Sequence, residues 1–393
     1  MLLDRLAIDD AVRIGIVGGG QLGKMLAQAA KRLSLKVIIL DPTPDCPASA
    51  VSDKQIVADF KDENAIMKLA EESDVVTYEI ELANSGILQR LEREGHVIHP
   101  SAETLRIIQD KLLQKRTLAE HEIPVPDFEQ VDSGSLRPAL ERFGYPALLK
   151  ARRDSYDGKG NFLIGSASEI PAALEFVRKR DAFVERFVPF TKEVSMMIAR
   201  NESGQISSFP LVENIHRNNI LHMTMAPARV SDTVKERAGQ IATKTMETLK
   251  GSGIFAIEMF VTEDEQVLVN EIAPRPHNSG HYTIEACDIS QFEQHIRAIL
   301  DLPLAEPRLI SPAAMVNILG EEDPDGPYAI AGIRKMMTIP GARLHIYGKK
   351  TSRRGRKIGH ITVTDESLDG AVAKATQARN MIRILDSKMV RVD

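Results

Sequence analysis

The sequence predicts a mixed α/β and α+β chain. A parallel α/β unit comes first, a central α+β unit with antiparallel ribbons follows, and a small mixed unit ends the chain. Three observations predict this. Residues 13 to about 100 alternate short apolar runs with helical patterns. From about residue 147 the apolar runs are joined by short polar loops. From about residue 304 a proline-rich linker leads to a stretch with the basic run "YGKKTSRRGRK". Strands alternating with helices imply a parallel sheet, and strands joined by tight loops imply antiparallel pairing.

In chain order, "RIGIVG", "KVIILD", "QIVAD", "DVVTYE" and "HVIHP" read as strands. "QLGKMLAQAAKRL" and "ENAIMKLAEE" read as helices between them. "PSAETLRIIQDKLLQKRTLAEH" reads as one helix, with Leu105, Ile108 and Leu112 on a buried stripe. The prolines of "EIPVPDF" end it. "YPALLKARR", a glycine loop and "NFLIGS" form a strand–loop–strand. "DAFVERFVPFTKEVSMMIAR" and "ISSFPLVENIHRNNI" add strands. A helix is expected over about 231–250, then the hairpin "GIFAIEMFVTEDEQVLVNEIA" and the helix "SQFEQHIRAILDLP".

The 393 residues are 43% hydrophobic and 27% charged, enough for two or three packed domains. A net charge of −5 without tryptophan argues against a nucleic-acid binder driven by bulk charge. Cys46 and Cys287 are the only cysteines. They make neither a disulfide framework nor a cysteine zinc site, and a reducing compartment, the cytoplasm, is expected. "MLLDRLAIDD" lacks the basic and apolar regions of a signal peptide. No run of about eighteen apolar residues appears, so no membrane partner is expected.

The hairpin carries the chemistry. Folding it about a loop Glu263–Gln266, with Thr262 opposite Val267, sets Glu258 opposite Glu271. Opposed residues share a face at about 5 Å. Two carboxylates that close either share a proton or hold a cation, and hard oxygen ligands favour magnesium. A register one residue different would instead send one glutamate to solvent.

"LLKARRDSYDGKGNFLIG" places Gly158 and Gly160 between strands, with Lys150 and Lys159 nearby. Such glycines let backbone N–H groups approach an anion, and Asp-Gly is equally a common hairpin turn. Alone, Lys111 reads as a surface lysine. Glu185 reads as an acceptor for a ribose or base, or as the partner of a basic side chain.

Together these residues resemble the ATP-grasp enzymes. "GGGQLGKM", "TYEIE", "QDKLLQK", "YDGKGN", "NEIAPRPHNSGH", "SQFEQHIRAILDLP" and "GRKIGH" are similar to the 5-(carboxyamino)imidazole ribonucleotide synthase family, over essentially the whole chain. The resemblance is nearest to the eukaryotic form, in which a mutase-type carboxylase follows. It implies a Rossmann-like pre-ATP-grasp domain at 1–105, a two-lobed ATP-grasp domain at 106–303 with its smaller lobe at about 147–215, and a C-terminal domain at 304–393. It implies ATP and Mg2+ as cofactors, aminoimidazole ribonucleotide and bicarbonate as substrates, and a homodimer.

The same resemblance implies residue roles. Lys111 and Lys150 meet ATP phosphates. The loop Ser155, Tyr156, Asp157, Gly158, Lys159, Gly160 and Asn161 closes over them. Glu185, Arg186, Phe187 and Val188 line the adenine pocket, Glu193 takes the ribose, and His216 and Asn270 complete the nucleotide site. Glu258 and Glu271 hold magnesium. Arg275 and His277 hold bicarbonate and the departing phosphoryl group, with Lys357 completing the catalytic set, and Asn278 meets the ribonucleotide. Lys349, Arg356 and Lys357, which alone read as a solvated face, bind its phosphate.

"RIGIVGGGQLGKML" alone reads as a dinucleotide fingerprint, with Asp41 in place for a ribose hydroxyl. However, "DPTPDCP" follows at once and no hydride-acceptor site is recognisable. The resemblance instead turns Gly20, Gln21 and Leu22, with Glu79 and Glu81, toward the ribonucleotide, in the cleft at the strand ends. Two positions depart from related patterns. Ala273 stands where many ATP-grasp enzymes have a metal-binding asparagine, and Leu82 follows "TYEIE" where a polar residue is usual. The expected reaction is ATP- and bicarbonate-dependent carboxylation of an amine. A formate-dependent ligase of the same superfamily is the alternative.

Overall fold

The computed structural model describes residues 12–153 and 160–389. The expected loop residues Ser155, Tyr156, Asp157, Gly158 and Lys159 lie outside the described residues. A parallel sheet opens the chain, in the order Lys54–Ile56, Lys36–Leu40, Arg13–Val17, Val75–Tyr78. Helices Gln21–Lys31, Glu63–Glu71 and Ser85–Arg93 accompany it. "HVIHP" is not a full fifth strand: it contributes a single bridge, Ile98 to Val76. Pro100 follows at once and has no N–H to extend a ladder.

The long helix expected after residue 100 is two helices, Ala102–Gln109 and Lys111–Glu120. Asp110 breaks it with extended backbone, and its carboxylate accepts from the N–H of Leu113. Arg152 and Arg153 pair with the same carboxylate. No glycine or proline marks this break. Tertiary partners impose it, and it makes Lys111 the first residue of a new helix.

A four-stranded sheet has the order Phe128–Val131, Ala182–Arg186, Ala147–Ala151, Asn161–Ile164. One strand of this sheet, Phe128–Val131, precedes residue 147, where the smaller lobe is expected to begin. The strand Phe190–Arg200 already belongs to a second, nine-stranded sheet. That sheet runs without interruption from the glutamate hairpin, Gly253–Thr262 and Val267–Ala273, to the C-terminal strands. The junction is Ile220–Ala226 against Ala313–Leu319.

Helix Asp232–Leu249 packs one face on this sheet. Val234, Ala238, Ala242 and Met246 recur every four residues, and all are buried. Helix Gln291–Ile299 joins the units, because Phe292 and Ile296 share a core with Leu22 and Leu26. Each such side chain contributes roughly 1.5–3 kcal/mol on burial. No helix among the described residues is long and apolar enough to cross a membrane.

Candidate active site

Glu258 does face Glu271, though not by the expected route. At the turn Val261 faces Val267, so the expected Thr262–Val267 pairing does not form. Thr262 pairs with Gln266 instead: its N–H donates to the Gln266 carbonyl at 3.1 Å, and its hydroxyl accepts from the Gln266 N–H at 3.0 Å. Uncorrected, this one-residue offset would send the glutamates to opposite faces. The register then shifts between Met259–Val269 and Glu258–Glu271, which leaves Asn270 as an extra residue. This bulge restores the parity.

The two carboxyls are held differently. Burial raises Glu258 to about 7; His216 opposes the rise, and Glu271 and Glu193 add to it. Burial acts on Glu271 too, but Lys111, Lys150 and Arg275 hold it below its usual value. One carboxylate is thus charged, and the other ionises readily once a cation is near. The pair fits a hard divalent ion such as magnesium. Among the described residues no group of three or more His, Cys, Asp or Glu is arranged for a metal. An ion here would take its other ligands from a nucleotide or water.

Three lysines clamp three consecutive residues of this ribbon. Lys115 donates to the Val269 carbonyl at 3.0 Å, Lys150 to Asn270 Oδ1 at 3.2 Å, and Lys111 to Glu271 at 3.1 Å. Lys115 and Lys150 also grip one buried carboxylate, Glu185, at 2.9 and 2.8 Å. Both oxygens of Glu185 are engaged by lysines. Lys115 is 1% exposed, and burial, opposed by Glu185, lowers it to about 8. Sequence reasoning missed it. The available signal was its place four residues after Lys111, on the same helix face.

The glycine loop holds carboxylates of the protein itself. The Gly19 N–H donates to Asp41 at 2.8 Å, and the Gly20 N–H to Glu79 at 2.6 Å. A Cβ on Gly20 would lie 2.7 Å from Glu79 Oε1. The glycine is therefore needed for the glutamate to approach. In a dinucleotide fold a diphosphate occupies this helix N-terminus; here Glu79 does. Burial raises Glu79 to about 7, with the Gly20 N–H and Arg275 opposing. Asp41, whose other oxygen accepts from the Thr43 N–H at 2.8 Å, serves the loop rather than a ribose.

Arg275 reaches across to Glu81 at 2.7 Å. Two residues on, His277 Nδ1 lies 2.9 Å from Ser279 Oγ. Asn278 is locked amide-to-amide with Asn317, at 3.1 and 2.6 Å. Glu193 and His216 pair at 2.5 Å; burial depresses His216, yet Glu193 and Glu258 carry it above its usual value. Burial, with Arg356 adding, lowers Lys349 to about 8.

One cleft of about 2310 Å³ gathers Glu258, Glu271, Lys111, Lys150, Arg275 and Lys349. Every described candidate from the sequence lines it, including Gln21, Leu22, Asn161, Arg186, Phe187, Val188, Arg356 and Lys357, except Gly160. The Gly160 carbonyl accepts from the Ala151 N–H at 2.8 Å. Unforeseen residues also line the cleft: Arg106, Arg153, Arg217 and Arg353, and the parallel rings of Phe190 and Phe260, 4.6 Å apart.

Known families match along the chain. A ribonucleotide synthetase preATP-grasp domain matches residues 11–109, an ATP-grasp domain 116–292, and a phosphoribosylaminoimidazole carboxylase C-terminal domain 313–374. The phosphoribosylaminoimidazole carboxylase of Schizosaccharomyces pombe is 44% identical over 363 residues, which cover 90% of this chain and 65% of that one. This chain thus spans about two thirds of that relative's length. The crystal structure of N5-carboxyaminoimidazole ribonucleotide synthetase from Thermotoga maritima is 46% identical, with a TM-score of 0.88, covering 96% of this chain and all of that one. This chain belongs to the N5-carboxyaminoimidazole ribonucleotide synthase family. A further member, the Aspergillus clavatus synthase solved with ADP and 5-aminoimidazole ribonucleotide, is 35% identical with a TM-score of 0.87, over 94% of this chain and 98% of that one.

Within the synthase family frame, the nine-stranded sheet spans the second and third matched regions. The hairpin and the basic run, some eighty residues apart in sequence, lie on one continuous surface.

Proposed function

We propose that the chain carboxylates the exocyclic amine of 5-aminoimidazole ribonucleotide, using ATP and bicarbonate, to give 5-(carboxyamino)imidazole ribonucleotide. The observation that carries this reading is the cleft's two cationic ends around one carboxylate pair. Lys111 pairs with Glu271 and Lys150 with the neighbouring Asn270, and Lys357 acts on Glu258, while Lys349 acts on Glu79 of the glycine loop and Arg356 lines the same cleft. Two phosphorylated ligands fit such a cleft.

A bicarbonate oxygen attacks the γ-phosphorus of ATP and ADP leaves, giving carboxyphosphate. The amine then bonds to the carboxyl carbon and gives up a proton to phosphate or solvent; phosphate leaves in that step, or beforehand where carboxyphosphate first releases carbon dioxide. Lys150 and Arg275 offset the charge on the transferred group. Glu258 and Glu271 would hold magnesium, which would supply charge neutralisation at the phosphate oxygens. Glu185 and Asn270 aim Lys150.

Glu271→Gln is expected to abolish bicarbonate-dependent ADP release with the fold intact. Normal turnover would overturn the metal assignment, and ADP release driven by formate instead of bicarbonate would overturn the reaction. The reading extends to domains divided near residues 105 and 303, and to a cytoplasmic homodimer acting with or fused to a mutase-type carboxylase. Light scattering tests the dimer.

A further inference from the structure

Ser195, Asn214, Thr224 and Ser279 are all buried, yet their hydrogen bonds form one chain that ends on a ring in the cleft. Thr224 Oγ1 lies 2.9 Å from Asn214 Oδ1, Asn214 Nδ2 lies 2.9 Å from Ser195 Oγ, and Ser195 Oγ lies 2.9 Å from Ser279 Oγ. Ser279 Oγ in turn lies 2.9 Å from His277 Nδ1.

The direction of the chain follows from its last member. The backbone N–H of Ser279 also points at His277 Nδ1, at 3.4 Å. A backbone N–H only donates, so Nδ1 accepts. The Ser279 hydroxyl therefore donates to Nδ1 and spends its one proton there. It must accept from Ser195, whose hydroxyl must accept from the Asn214 amide. The Asn214 carbonyl then accepts from Thr224. Each group has one role left, and the four links are consistent in a single direction. Glu258 Oε1, at 3.8 Å from the same ring nitrogen, is beyond hydrogen-bond reach.

We propose that this buried relay, acting with the Ser279 backbone N–H, fixes His277 as the Nε2–H tautomer, so that His277 acts in the cleft as a hydrogen-bond donor to the anion beside Arg275, and not as a base. Which imidazole nitrogen carries the proton is set by what the other one binds. His277 Nε2 makes no hydrogen bond to a described residue, and the side chain keeps 19% exposure in the cleft. A neutral donor binds bicarbonate and carboxyphosphate alike and moves no proton. Ser195 and Asn214 are then positioning residues, acting through His277. The catalytic half of this inference rests on the proposed reaction; the tautomer does not.

Asn214→Asp tests it by changing one group. A carboxylate only accepts, so Ser195 would donate to it. Ser279 would donate to Ser195, and its oxygen would accept from Nδ1–H. The side-chain links would then run backwards and oppose the Ser279 backbone N–H, which still points at Nδ1. Nitrogen-15 spectra of histidine-labelled protein at fixed pH report the tautomer, with His277→Gln identifying the signal. The parent is expected to show an unprotonated Nδ1 and a protonated Nε2. Asn214→Asp sets the side-chain relay against the Ser279 backbone N–H, so His277 is expected to show both tautomers, and kcat is expected to fall by at least about tenfold, part of what removing a positioned donor outright costs, with the KM for ATP within about twofold. Where Asn214→Asp does not fold, Ser195→Ala cuts the chain, and His277 is expected to show both tautomers with reduced kcat. A parent ring protonated on Nδ1 would overturn the proposal. So would Asn214→Asp, or its substitute Ser195→Ala, with the parent spectrum and full kcat. A correct tautomer in a parent that releases no ADP with bicarbonate would instead overturn the proposed reaction.

Discussion

The two ends of the cleft both resemble anion sites, and they are satisfied in opposite ways. At the hairpin end, acidic side chains meet basic ones: Glu185 with Lys115 and Lys150, and Glu271 with Lys111. At the glycine-loop end, acidic side chains meet backbone N–H groups: Asp41 with Gly19, and Glu79 with Gly20. The first arrangement leaves cations facing the cleft. The second spends the helix N-terminus on a glutamate. A glycine fingerprint therefore marks close backbone approach, and whether phosphate benefits depends on what already fills the loop. We propose that the ribonucleotide phosphate instead meets the basic run, Lys349, Arg356 and Lys357, which lines the same cleft.

The largest effect expected from this contrast is at Lys115. Lys115→Met leaves Glu185 buried with half its counter-charge. Breaking a buried ion pair from one side costs about 3–5 kcal/mol. Thermal unfolding should show a marked loss, and Lys115→Met/Glu185→Gln should recover much of it. Unchanged stability in the single variant would mean that Glu185 does not depend on this lysine. Next comes the basic run. Lys357→Ala is expected to raise the KM for the ribonucleotide roughly tenfold, about the worth of one charge-assisted hydrogen bond, with little change in the KM for ATP. Equal changes in both constants would erase the distinction between the two ends.

How much of this was legible in the sequence differs between the same regions. The Glu258–Glu271 pairing could be read from parity along two strands, but the route could not. Thr262 shifts the turn by one residue and Asn270 shifts it back, and periodicity records only the sum. The break at Asp110 was illegible because arginines distant in sequence, Arg152 and Arg153, help hold it. Lys115 was passed over because a lysine's burial depends on partners, Glu185 and the Val269 carbonyl, that meet only in the tertiary fold. At the glycine loop, spacing revealed the turn but not its occupant. Glu79 was read as facing the ligand cleft, which it does, while one oxygen is already bound to Gly20. Ser195, Asn214 and Thr224 carry no motif at all, since three strands must pair before their side chains meet.

The smallest expected effect separates the two ends by pH. Glu79 has a folded pKa of about 7 against an ordinary 4.5, burial being the main cause. Between those values the folded protein keeps this proton while the unfolded chain releases it. The folded state then binds more protons, so this group's contribution to stability is complete below about 4.5 and is lost as pH rises through about 7. Glu79→Gln imitates the protonated form, and its amide oxygen can still accept from Gly20. The variant should melt at least about 2 °C above its parent at pH 8, where each kcal/mol is worth roughly 2–4 °C in large domains. The two curves should converge near pH 5. Glu185→Gln should do the opposite at pH 8, because its two lysines hold the Glu185 carboxylate below the usual value despite burial. Were Glu79→Gln to shift melting equally at both pH values, the glutamate would be fully charged in the loop. The backbone N–H groups of the glycine turn would then satisfy a carboxylate as completely as the lysines do at the hairpin.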